Sequence, residues 1–205
     1  MAEIVLSGID MYKSRKGKIL LDGYTLELRR GKFYGLIGSE KSGKSAVLRA
    51  LLGLIRLDSG EVTWSMPRMS VGAQVGLPAF HRELSIRDNM RAQASMLRPS
   101  PPDKRIDELM DRLKIKERFA GSRTMRHLLV GQKQLAAIAM AMVGRPDLLI
   151  LDEPMQALDI ADRSEFADII RDEYNERTVL FTATTEEELQ DVVTEFIYIQ
   201  EGRNA

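Results

Sequence analysis

The stretch Gly38-Ser39-Glu40-Lys41-Ser42-Gly43-Lys44-Ser45 stands between an apolar run, Phe33-Tyr34-Gly35-Leu36-Ile37, and an amphipathic segment, Ala46-Val47-Leu48-Arg49-Ala50-Leu51-Leu52. The first reads as a strand and the second as a helix, so the glycine-bearing turn lies where one hands over to the other. Gly38 and Gly43 let the backbone turn tightly and aim its N–H groups inward; Lys44 can reach outer phosphates, and the Ser45 hydroxyl can ligate Mg²⁺. A helix N-terminus behind the turn adds a dipole that favours negative charge. The spacing predicts a phosphate cradle.

Working outward, 205 residues suffice for one substantial core with a small lobe. Lys plus Arg and Asp plus Glu each number 30, so no bulk charge draws the chain to nucleic acid or acidic lipid. The absence of cysteine removes disulfides, thiolate catalysis and Cys-based metal sites, and it fits a reducing compartment. His81 and His127 lie far apart, which argues against a His-rich zinc centre. The N-terminal residues show no secretory signal pattern, and the longest apolar windows, 46–55 and 135–143, are too short to span a bilayer. Any membrane role is expected to come through another chain.

Short strand-like runs at 4–6, 18–21, 25–28 and 33–37 are separated by turns such as Asp22-Gly23 and Arg30-Gly31-Lys32, predicting a small N-terminal β layer. Strands are expected again at 61–64 and 70–75. Residues 85–97 and 103–113 carry near-3.6 apolar spacing, interrupted by Pro99, Pro101 and Pro102, and predict a helical lobe. An Ala-rich helix at 132–143 precedes Leu148-Leu149-Ile150-Leu151, a run apolar enough to be buried on both faces of a parallel sheet. Helices at 161–174 and 186–193 alternate with strands at 178–181 and 196–199. The pattern predicts a doubly wound α/β core with right-handed crossovers.

A phosphate cradle needs carboxylates that position metal and water. Asp152 and Glu153 follow the apolar run, at the sheet end where ligands bind in such folds. Asp152 is placed to hold Mg²⁺ through water and Glu153 to polarise an attacking water.

Taken together these residues resemble the nucleotide-binding subunits of ABC transporters over nearly the whole chain. The resemblance implies a P-loop NTPase core, a mostly parallel sheet flanked by helices, with a small N-terminal β layer and a helical subdomain. Residues 1–205 would form one such domain: about 1–75 and 145–205 the ATP-binding core and β layer, about 76–144 the helical signature lobe. It implies ATP and Mg²⁺ as ligands, with Gln74 at the family's Q-loop position contacting Mg²⁺ alongside Ser45 and Asp152. Tyr12 is similar to the aromatic that stacks on adenine, and Ala157-Leu158-Asp159 looks like the D-loop.

Two departures stand out. Where the family carries Leu-Ser-Gly-Gly-Gln, this chain has Leu128-Leu129-Val130-Gly131-Gln132. Leu129 has no hydroxyl for the opposite subunit's γ-phosphate, and Val130 adds a branched side chain where glycine admits close approach. Losing such a contact in a dry site costs on the order of 2–4 kcal/mol of transition-state stabilisation. Thr184 stands where the switch histidine is expected and brings no imidazole ring. Within the loop, Glu40 and Lys41 replace the usual Asn and Gly, and a carboxylate beside phosphates is unfavourable unless offset or turned outward.

The resemblance implies an ATP-binding subunit of exporter type, peripheral on the cytoplasmic face of the cell membrane. Its partners would be transmembrane permease subunits and a second nucleotide-binding subunit, in a homo- or heterodimer, with no nucleic acid. ATP hydrolysis is expected to be low or partner-dependent. The alternative is a non-transport ABC protein acting as a regulatory or assembly module; a P-loop kinase is disfavoured by the Ala-rich helix after Gly131-Gln132.

Overall fold

The apolar run 33–37 forms strand β3 (Phe33–Ile37), buried at every position, and its neighbours explain why. The structure, a computed structural model, describes residues 3–65, 71–76, 79–119 and 124–205. Strands β5 (Val71–Gln74), β6 (Leu148–Leu151), β7 (Thr178–Ala183), β8 (Glu195–Gln200) and the short β9 (Arg203–Asn204) complete a six-stranded sheet. Its order is β5-β6-β7-β3-β8-β9, parallel throughout except for antiparallel β9. This is the α/β architecture, with a mostly parallel sheet, that the sequence predicts.

The period of two along each strand divides the core. Leu148, Ile150 and Leu180 point to one cluster with Leu36 and Leu48; Leu149, Leu151 and Phe181 point to the other with Ile138 and Phe166. On the first face lie helix α1 (Lys44–Leu51) and a three-stranded antiparallel layer, β2-β1-β4, built from β1 (Ile4–Arg15), β2 (Lys18–Arg29) and β4 (Ser59–Trp64). On the second lie helices α2 (Ile86–Met96), α3 (Asp103–Arg112), α4 (Ile115–Arg118), α5 (Val130–Met142) and α6 (Ile160–Glu173).

Helix α2 starts where Ser85 accepts from the Asp88 N–H at 3.1 Å, an N-cap, and the proline segment separates it from α3. Helix α3 is tied to α6 by Arg105, whose guanidinium meets Glu173 at 2.7 Å with side chains 6% and 4% exposed. Arg112 adds a second contact to Glu173 at 2.6 Å. Burial alone pushes the Glu173 carboxyl up, but the Arg105 hydrogen bond and the charges of Arg105, Arg112 and Arg145 outweigh it and hold it below its usual value. The surface pairs Lys114–Glu165 and Arg91–Asp103 are about half exposed and add little, roughly 0–1 kcal/mol each.

Two expectations change. The runs 18–21 and 25–28 belong to one strand, β2, because Gly23 at φ 74 lets the chain bulge and continue where Asp22-Gly23 reads as a turn. The helix expected at 186–193 is a short 3₁₀ turn, Glu186–Glu188, followed by another three-residue closure. Leu189 N–H bonds Glu186 O and Val192 N–H bonds Leu189 O, both at 2.9 Å, and this spacing of three drives Leu189 and Val192 into the core. Strand β9 goes unpredicted, and Ser70 of the run 70–75 lies outside the described residues.

Candidate nucleotide site

The loop 38–43 leaves the C-terminal end of β3, and its shape rests on its glycines. Gly43, at φ 117, is the N-cap of α1 and brings no side chain to the helix's first N–H groups. A Cβ there would sit 2.8 Å from Leu20 O. A Cβ on Gly38 would sit 2.5 Å from both Ile199 O and Ser42 Oγ, so β8 passes directly behind the loop. The loop is also held from outside, since Gly202 N–H donates to Ser42 O at 2.8 Å and Gly38 N–H to Ala183 O at 3.3 Å. Glu40 is exposed, which answers the electrostatic objection to a carboxylate in this loop.

Lys44, only 5% exposed, lies over the loop: its ammonium donates to Gly38 O at 2.5 Å and Ser39 O at 3.1 Å, and stands 3.5 Å from Glu153 Oε1. Ser45 donates to Asp152 Oδ2 at 3.0 Å. The other carboxylate oxygen, Oδ1, accepts from Thr182 Oγ1 at 2.7 Å. These residues meet because strand register brings them level: Ile37 pairs with Ala183 and Leu151 with Phe181, so β3, β7 and β6 end on one edge.

Glu153 occupies a left-handed conformation, φ 48 and ψ 49, which costs a non-glycine residue on the order of 1 kcal/mol. Its hydrogen bonds hold it there, including one from Gln156 N–H to its carbonyl at 3.2 Å. Its N–H donates to Thr182 Oγ1 at 2.9 Å, its carbonyl accepts from Gln134 Nε2 at 3.0 Å, and its Oε2 accepts from Gln156 Nε2 at 2.8 Å. Neither Thr182 nor Gln134 is marked by the sequence reading as part of the site; a hydroxyl inside the apolar run of β7 and an amide in an Ala-rich helix are the only signals.

Gln74 ends β5, where its backbone carbonyl accepts from Asp152 N–H at 2.9 Å and its side-chain Nε2 donates to Gly76 O at 3.2 Å. The remaining amide oxygen, Oε1, is buried without a partner. A cleft of about 610 Å³ runs from Gln74, Asp152 and Glu153 to Val130 at the tip of α5. The donor set here is Ser45 Oγ, Asp152 and the unpartnered Gln74 Oε1, all hard oxygens, which suits Mg²⁺ held mainly by phosphates rather than an all-protein cage. No group of three or more His, Cys, Asp or Glu gathers into a metal cage among the described residues.

A family model described as "ABC transporter" matches residues 21–156, the span that contains the loop, Asp152 and Glu153. The chain belongs to the ABC transporter ATP-binding family. Among its relatives, the uncharacterized ABC transporter ATP-binding protein YdbJ of Bacillus subtilis (strain 168) is 32% identical over 98% of this chain and 68% of that protein. The lantibiotic transport ATP-binding protein SrtF of Streptococcus pyogenes is 28% identical over 95% of this chain and 86% of its own length. The fold agrees with that of the ATP-binding cassette MJ0796, solved as a dimer in a post-hydrolysis state bound to ADP and Pi, with a TM-score of 0.84 and 21% identity over 97% of this chain and 96% of that one.

Within this ABC-family frame the signature positions stand apart from the loop. Leu128 is buried, whereas Leu129 and Val130 are 72% and 74% exposed at the start of α5. Gln132 Oε1 accepts from Leu129 N–H at 2.9 Å while its Nε2 donates to Arg118 O at 3.0 Å. This is half a capping box, because Leu129 has no side-chain oxygen to accept the backbone N–H of Gln132. Gly131 and Gln132 share a groove of about 490 Å³ with Arg118, Asp159 and Asp162, so the signature and D-loop positions face the same side. There the Arg118 hydrogen bond holds the Asp162 carboxyl below its usual range.

The remaining two positions lie off the phosphate loop. Thr184, exposed, follows β7, and its N–H donates to Glu188 Oε1 at 3.1 Å. Tyr12, half-buried in β1, pairs with Asp22, whose N–H bonds Gly202 O at 2.8 Å, and Gly202 in turn bonds the loop at Ser42. Tyr12 thus belongs to the layer stacked beside the loop.

Proposed function

We propose that this chain binds Mg·ATP on the loop 38–45 and acts as the ATP-binding subunit of an exporter-type ABC transporter. It would pair head to tail with a second nucleotide-binding subunit on transmembrane permease subunits, and so work at the cytoplasmic face of the membrane. The observation that carries the nucleotide reading is the convergence of Lys44, Ser45, Asp152 and Glu153 on one sheet edge, linked by contacts of 3.0–3.5 Å. SrtF, named for lantibiotic transport, supports the transport reading. No helix among the described residues is long and apolar enough to cross a membrane, which suits a subunit that works through membrane partners.

Lys44 is assigned to the outer phosphates, which would replace Gly38 O and Ser39 O as acceptors for its ammonium. Ser45, Asp152 and Gln74 are assigned to Mg²⁺, with Tyr12 beside the adenine. The metal, when bound, offsets charge developing on the phosphate oxygens. Glu153, held by its backbone bonds, takes the proton of the attacking water as the bond to the γ-phosphorus forms and the β–γ bridging P–O bond breaks. Leu129 and Val130 offer the partner's nucleotide no hydroxyl and no bare glycine backbone, and Thr184 no imidazole. Turnover by paired copies of this chain is therefore slow while binding is retained.

Equilibrium binding of a fluorescent ATP analogue, followed by phosphate release, tests this. Glu153→Gln keeps the binding and abolishes the residual rate; a rate that survives removes Glu153 from the water-activating role. Uptake of substrate into inverted membrane vesicles, measured with the co-purified membrane subunits, tests the exporter direction, and ATP-driven loss from them would reverse it.

A further inference from the structure

We propose that Thr182 is a positioning residue that locks the Asp152 carboxylate and the Glu153 backbone into register for Mg·nucleotide, an inference that rests on the nucleotide reading above. The single hydroxyl of Thr182 makes two bonds: its proton goes to Asp152 Oδ1 at 2.7 Å and a lone pair accepts the Glu153 N–H at 2.9 Å. Because the proton is committed to the carboxylate, the bond from Glu153 must use a lone pair, and the two bonds fix each other's direction.

Asp152 then receives one donor on each oxygen, Thr182 on Oδ1 and Ser45 on Oδ2, which sets the carboxylate plane relative to the loop. Glu153 receives its only side-chain acceptor for N–H while holding φ 48. Thr182 is 0% exposed and its strand neighbours, Phe181 and Ala183, are apolar and buried. A valine would fill the same volume, so packing does not call for the hydroxyl, and burying one is unfavourable unless its bonds are made. Partners of this kind, one bond removed from a metal ligand, typically set affinity by 10–100-fold.

The test uses the purified 205-residue chain with Mn²⁺ as a spectroscopic stand-in for Mg²⁺, titrated by electron paramagnetic resonance in the presence of ADP, with thermal unfolding run in parallel. Thr182→Val weakens Mn²⁺ binding about tenfold and leaves metal-free ADP affinity within about twofold. Thr182→Ser, which keeps the hydroxyl, restores Mn²⁺ binding to within about threefold of wild type. Thr182→Ala serves as a second hydroxyl-free variant. Wild-type Mn²⁺ affinity in the valine variant, or equal loss in the serine variant, overturns the proposal. So does a result in which neither hydroxyl-free variant folds, since the hydroxyl is then structural. A wild-type chain that binds no nucleotide fails at the earlier reading; one that binds it, with an indifferent valine variant, fails at Thr182 alone.

Discussion

The half-built cap at Leu129 gives a substitution with two independent readouts. Leu129 sits at the N-cap of α5 with φ −68 and ψ 164, the extended geometry a capping serine uses, and Gln132 already supplies the reciprocal bond at 2.9 Å. Leu129→Ser places an oxygen where the Gln132 N–H can donate to it, worth about 1 kcal/mol. Against this stands the lost burial of a leucine that is 72% exposed; with a full leucine worth about 2 kcal/mol, roughly 0.5 kcal/mol is forfeited. The net gain of about 0.5 kcal/mol raises Tm by about 1–2 °C in a chain of this size. In the proposed head-to-tail pair, the same hydroxyl would also supply the donor that Leu129 lacks toward the partner's nucleotide. One donor in a dry site is worth up to 10²–10³ in rate, and with Val130 still in place about tenfold is expected. The assay is differential scanning calorimetry on the isolated chain, followed by phosphate release from the reconstituted pair. A lower Tm refutes the capping argument, and an unchanged rate beside a raised Tm refutes the view that the missing hydroxyl limits turnover.

Gly43→Ala forces a side chain to φ 117 with its Cβ 2.8 Å from Leu20 O, so stability drops by about 1–3 kcal/mol. Fluorescence titration with an ATP analogue should show binding lost as well. Glu173→Gln leaves Arg105 buried without its countercharge; chemical denaturation should record a loss of about 3–5 kcal/mol. Because the Glu173 carboxyl is held below its ordinary value, its contribution is complete above about pH 4.3 and fades as pH falls through the depressed folded value. Wild type therefore loses stability on acidification, and Glu173→Gln, measured over the same range, shows a shallower acid slope.

The parts of this molecule legible in the sequence are those in which composition and geometry coincide. Leu148-Leu149-Ile150-Leu151 announces a strand covered on both faces, and the structure sends alternate residues to the two cores. The loop 38–45 could be read because its glycines answer geometric demands, Gly43 a φ of 117 and Gly38 the close approach of β8. Thr182 could not, since threonine and valine look alike in a β-branched run and only the fold brings a hydroxyl within 2.7 Å of Asp152. The Arg105–Glu173 pair spans α3 and α6, and nothing local marks either residue as buried. The segment 186–193 reads as a helix because its apolar residues pack at a spacing of three, which a 3.6-residue period absorbs over so short a span.

The contrast between cradle and signature then follows from where each is anchored. Lys44, Ser45, Asp152, Glu153 and Thr182 are tied to one another by their own hydrogen bonds and ion pair, and their strands β3, β7 and β6 are held in register, so the cradle is positioned by this chain alone. Leu129 and Val130, about three-quarters exposed, support little of the core, although α5 behind them holds Glu153 through Gln134. Serine and glycine can thus be exchanged for leucine and valine there at small cost to folding. The cost falls instead on whatever the tip of α5 touches in a partner. On the proposed reading, a sound cradle beside an altered signature is a stable combination: the chain would keep its own nucleotide pocket and give up what it would contribute to another.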